Sequence, residues 1–107
     1  MKRIVLVLVV LAMAMPVLAD DLCLENCYHV QRLAEGIMGA RQRNANMSDV
    51  MNIIKTGTEG HEELSRIGVE LVINAYSQPM FSLDQNKANE IMRFKNQVYL
   101  ECIKQNR

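Results

Sequence analysis

The chain has 107 residues, with 12 Lys and Arg balanced by 12 Asp and Glu, and half of its residues are hydrophobic. A chain this short holds one domain, and a balanced charge with no basic patch argues against nucleic acid as a partner. The hydrophobic half is not all core, because much of it is concentrated at the N-terminus.

Lys2 and Arg3 are followed by unbroken aliphatics from Ile4 to Leu11, then by Pro16, Val17-Leu18-Ala19 and the acidic pair Asp20 and Asp21. This order of positive, apolar and small residues is that of a secretion signal. The expected cut lies between Ala19 and Asp20, which divides the chain into a signal peptide (1–19) and a single helical domain (20–107). A membrane anchor fits less well: the run from Ile4 to Ala19 is 16 residues, whereas a spanning helix needs about 20. Lipidation at Cys23 is disfavoured because Asp20, Asp21 and Leu22 do not form a lipobox. The expected destination is the periplasm or the medium. The mature chain keeps 88 residues, and losing Lys2 and Arg3 leaves it a net charge of about −2. It has no second apolar stretch long enough to span a bilayer, so no membrane insertion is expected after cleavage.

The mature part reads as all-α, a small helical bundle of about four helices. Pro16 should break the signal helix, and the first mature helix should run from about Leu22 to Arg43. Its stripe is Cys23, Cys27, Val30, Ala34, Ile37, Met38 and Ala40, stepping mostly by three and four. Asp20 and Asp21 suit the positive end of its dipole, and Arg41-Gln42-Arg43 suits the other end, where a solvated terminus is expected. Asn44-Ala45-Asn46 predicts a turn. Ser48 predicts a cap for a short helix from Asp49 to about Lys55, with Val50, Met51, Ile53 and Ile54 as its apolar residues. The segment from Thr56 to Gly60 breaks that helix. The third helix is expected from about Glu62 to Ser77, with a stripe of Leu64, Ile67, Gly68, Leu71, Val72 and Ala75. Gly68 on that stripe predicts a close approach of another helix. Gln78-Pro79 ends it. Ser82 predicts the last cap, before a helix from Leu83 to about Gln105 that turns Ala88, Ile91, Met92, Phe94, Val98, Tyr99, Cys102 and Ile103 inward.

The chain has three cysteines, Cys23, Cys27 and Cys102. In an exported protein they predict a disulfide joining the terminal helices. Cys27–Cys102 is the preferred pair because Cys27 continues the apolar stripe better; Cys23–Cys102 stays open. Cys23 and Cys27, one helical turn apart, do not have the geometry to bond each other. The spare cysteine is an idle thiol or the link of a homodimer. A zinc set of Cys23, Cys27, His29 and Cys102 has allowed cysteine spacing, but His29 would face away on a helix.

No catalytic residues, cofactor or metal site emerge from the remaining motifs. His61-Glu62-Glu63-Leu64-Ser65 lacks the second histidine of a zinc-protease helix, and Cys27-Tyr28-His29 lacks the first cysteine spacing of haem attachment. The segment from Ala75 to Phe81 is unusually apolar for a loop. It folds back as a lid on the core, or else Tyr76, Pro79, Met80 and Phe81 form a contact for a partner.

Ile37-Met38 followed by Arg41-Gln42, then Ala75 to Pro79, then Phe94 to Ile103 together resemble small exported proteins of Gram-negative bacteria and their prophages. The resemblance spans most of the mature chain and implies a bacterial, extracytoplasmic setting. It implies no activity, since such proteins have none assigned. The reading is therefore a non-enzymatic periplasmic or secreted protein that acts on an unknown protein partner. The alternatives are an acid- or stress-responsive chaperone-like protein and a cysteine-based metal or redox protein.

Overall fold

The described part of the chain, backbone over residues 9–105 and side chains over residues 26–105, is all-α in this computed structural model. Its helices are α1 (Val9–Gln42), α2 (Met47–Gly57), α3 (Glu62–Tyr76) and α4 (Asp84–Gln105), with no strand among the described residues. The basic pair Lys2 and Arg3 lies outside the described residues, as do the side chains around the expected cut and the thiol of Cys23.

The helix boundaries follow local chemistry, with three corrections to the sequence reading. First, α1 is already helical at Val9, where the described residues start, and passes through Pro16 instead of restarting near Leu22. A proline inside a helix removes one backbone hydrogen bond, but the Leu, Ala and Met residues around it are strong helix formers. At the other end, Asn44 takes the left-handed conformation (φ 64°). The Ala45 N–H donates to Ala40 O and the Asn44 N–H to Arg41 O, at 2.9 and 3.0 Å. This is a Schellman stop with asparagine in the place of glycine.

Second, α2 is capped by Asn46, not Ser48. Asn46 has the extended backbone a cap requires, and its Oδ1 accepts from the backbone N–H groups of Ser48 and Asp49. Ser48 is already helical and donates its own hydroxyl to the same oxygen. Third, Leu83 and not Ser82 precedes α4, its carbonyl accepting the first helical bond from Lys87 N–H.

Three contacts set the register of α1 against α4: Cys27 meets Cys102, Glu35 meets Lys95 at 3.5 Å, and the Gln42 carbonyl accepts from Lys87 Nζ at 2.6 Å. Residue numbers fall on α4 as they rise on α1, so the pair is antiparallel. Helix α3 runs the same way as α1, with Gly68 near Leu33 and the α3 C-terminus near Arg41. Helix α2 runs back along α3. A Cβ placed on Gly68 would sit 2.6 Å from the γ2 methyl of Ile54, so the close approach expected at this glycine is the contact between α2 and α3. The packing partners are α1 with α4, α1 with α3, α2 with α3 and, over a small area, α1 with α2; α3 and α4 do not pack along one another.

The core joins Val30, Ala34, Ile37, Met38 and Ala40 of α1 to Val50 and Ile54 of α2, Leu71, Val72 and Ala75 of α3, and Phe94 of α4. This follows the expected stripes, except on the two helices that touch a single neighbour for most of their length. Ile53 on α2 is 68% exposed and Met92 on α4 is 53% exposed, and Ala88 is exposed as well. A helix packed on one side buries a narrow face, and the broader stripes read from sequence spill onto solvent.

Candidate functional site

Two tethers and one groove define the chemistry-bearing surface. The first tether is covalent. Cys27, fully buried, is bonded to Cys102, with Cα atoms 5.6 Å apart at a sequence separation of 75. A sulfur in this bond is no thiolate ligand, which takes Cys27 and Cys102 out of the zinc set; His29 is exposed. Among the described residues no group of three or more His, Cys, Asp or Glu is arranged to hold a metal ion.

The second tether ties the α3–α4 connection to the end of α1. Gln42 is 1% exposed. Its Nε2 donates to Pro79 O and its Oε1 accepts from the Phe81 N–H, each at 2.9 Å. The side-chain amide thus pairs with two part-buried backbone groups of the loop. Arg41 donates from Nε and a terminal nitrogen to Gln78 O, at 3.0 and 2.9 Å, and its guanidinium lies 5.3 Å from the Tyr76 ring centre. The Tyr76 hydroxyl donates to Ala45 O at 2.8 Å. Burial pushes that hydroxyl above its ordinary pKa, against the opposing pull of Arg41 and Arg43.

These contacts distribute the residues of the apolar loop. Tyr76 and Phe81 are half-buried, Pro79 presents its carbonyl to Gln42, and Met80 is left 43% exposed. The terminus Arg41-Gln42-Arg43 is not solvated as expected: Arg41 and Gln42 face inward and only Arg43 is exposed. Sequence reasoning missed Gln42, although a signal was present. Positions 34, 38 and 42 step by four, so Gln42 continues the buried stripe, but its amide directed attention to solvent. Glu90 repeats the pattern on α4, four residues before Phe94. It is 7% exposed and accepts from Arg93, which also donates to Gln97 Oε1 at 2.9 Å.

The groove lies where α3 and α4 fail to meet. It has a volume of about 840 Å³, with Val30 of α1, Ile67 and Leu71 of α3, and Phe94 and Val98 of α4 along its length. Of these, Ile67 and Val98 are only partly buried. Polar residues line it on both sides. On α3, Glu63, Glu70 and Asn74 recur at helical spacing; on α4, Gln97, Glu101 and Gln105 recur every fourth residue. Arg66 is the one cation among the lining residues, and it is bonded to Glu63. That bond holds the Glu63 carboxyl below its usual range. No known family, curated protein sequence or solved structure matches the chain. Of the four residues expected to contact a partner, Tyr76, Pro79, Met80 and Phe81, none lines this groove; the same segment contributes Ser77 and Gln78 to it instead. No helix among the described residues is long and apolar enough to cross a membrane.

Proposed function

We propose that residues 1–19 direct export and that the mature chain is a non-enzymatic helical protein of the periplasm or medium, which acts by binding another protein in the groove between α3 and α4. The observation that carries this reading is the groove itself. It leaves Ile67 and Val98 partly uncovered between two helices that a closed bundle would bring together. The lining residues include no histidine, and their cysteine, Cys102, is bonded to Cys27. The disulfide supports an oxidising compartment, as does the resemblance to exported proteins of bacteria and their prophages. Cutting after Ala19 would start α1 at Asp20 and Asp21, where carboxylates suit the helix dipole.

Two measurements test the proposal. Intact mass of the exported protein without reductant is expected to give a chain starting at Asp20 with one internal disulfide; a retained N-terminus would refute export, and a doubled mass would assign Cys23 to a homodimer. A photoreactive residue placed at Asn74 or Gln97 is expected to give adducts of discrete mass in living cells, while the same residue at Asn52, exposed on α2, gives none. Absence of adducts from both groove positions would overturn binding there.

A further inference from the structure

We infer that the groove receives a single amphipathic helix of another protein, one whose apolar stripe is flanked on both sides by Lys or Arg. The inference rests on the reading of the groove as a binding surface and names what it binds.

The shape of the seat comes from backbone accounting. The groove is formed by α1, α3 and α4, whose peptide groups are bonded within their own helices. It therefore offers side chains and no unpaired strand edge. A partner that buries its own backbone here must satisfy its own N–H and C=O groups, and a helix does so. The lining residues of α3 run from Glu63 to Asn74, most of a 15-residue helix, with Ser77 and Gln78 just past its end, so a partner of similar length fills the groove. Such a helix would occupy the position of the missing neighbour between α3 and α4, its stripe over Ile67 and Val98.

The charge of the partner comes from the rims. Glu63, Glu70 and Glu101 face one cation, Arg66, and that cation is already bonded to Glu63. Glu70 on one rim and Glu101 on the other are exposed and, among the described residues, take part in no side-chain ion pair, Glu70 adding only the weakest pull on Arg66, so the acidic field lies on both sides of the apolar floor. An acidic partner would meet repulsion at both rims. A helix with basic flanks meets attraction at both, which sets orientation and discriminates between partners more than it adds raw affinity.

The test uses the mature, disulfide-bonded chain and two synthetic helices of about 15 residues with the same leucine stripe, one flanked by lysines and one by glutamates. Fluorescence anisotropy at low salt is expected to show the lysine peptide binding at least tenfold more tightly than the glutamate peptide, with the difference shrinking as salt rises. The double variant Glu70→Lys/Glu101→Lys is expected to reverse the preference. Both positions are exposed, and circular dichroism together with non-reducing mass verifies that the variant keeps its helices and its disulfide. Equal binding of the two peptides, or a preference unmoved by the charge reversal, would overturn the inference. If that occurs while cross-links from Asn74 and Gln97 persist, the groove binds a different chemistry and only this inference falls. If the cross-links are absent too, the binding surface falls with it.

Discussion

The two ends of the α1–α4 pair are held by opposite physics. At one end Cys27 and Cys102 form a covalent bond across 75 residues of sequence. At the other, Gln42, Arg41 and Lys87 hold the same two helices and the loop from α3 to α4 with hydrogen bonds. The disulfide acts mainly by restricting the unfolded chain. The amide clamp acts only in the folded state, where its strength lies in leaving no buried donor or acceptor without a partner. One end should therefore control global stability, and the other local opening.

The sharpest way to break this contrast is to remove the bond. Cys27→Ala/Cys102→Ala is expected to lower stability by about 4.5 kcal/mol on the chain-entropy model for a loop of this length, read from the urea midpoint. A loss below about 1 kcal/mol would mean that the unfolded chain is compact without it. Next comes Gln42→Leu, which keeps the volume roughly constant and strands the Phe81 N–H and the Pro79 carbonyl. It is expected to cost about 2–3 kcal/mol and to accelerate hydrogen exchange at Phe81 selectively. The cysteine variant should instead speed exchange throughout the bundle. If both variants gave the same exchange pattern, the division between global and local tethers would be wrong.

Gly68→Ala lies between the two ends and serves as a reference that touches neither. The new methyl meets the buried, β-branched Ile54 at 2.6 Å, and overpacking of about 1–3 kcal/mol outweighs the gain of up to about 1 kcal/mol in helix propensity. Thermal unfolding is expected to show a net loss that adds to either tether variant, because the sites share no partner. The smallest effect belongs to Tyr76→Phe, about 1 kcal/mol for one hydrogen bond. It carries a pH signature. The folded-state pKa of Tyr76 is raised by burial, so its contribution is complete below the unfolded value of about 10. That contribution is lost as pH climbs through the higher folded value. Wild type is thus expected to lose stability in alkali more steeply than the phenylalanine variant, and parallel curves would place the hydroxyl outside the clamp.

The same contrast separates what was legible in the sequence from what was not. Four helices, the inward stripe of α1, the turn at Asn44 and the close approach at Gly68 all follow from spacing and from conformational preference, which are local properties. Cys27–Cys102 was the favoured pair because Cys27 lies on the α1 stripe, yet Cys23, one turn earlier, kept the alternative open. Gln42 and Glu90 lay on apolar stripes too, but residue type suggested solvent, and only their partners make burial tolerable. Ile53 and Met92 erred in the other direction: they read as core because nothing local reveals that α2 and α4 each lean mostly on one neighbour.

The sequence alone therefore determined the helical class, the helix order and the set of cysteines from which a terminal staple had to be drawn, because backbone preference and period operate over a few residues. The tertiary structure decided which cysteine was used, that Gln42 clamps the loop at Pro79 and Phe81, and that α3 and α4 stay apart with acidic rims between them. Those features depend on pairs 37 to 75 residues apart, or on a contact that is not made, and the physical reason they escape the sequence is that burial of a polar group is decided by whether a distant partner arrives to satisfy it.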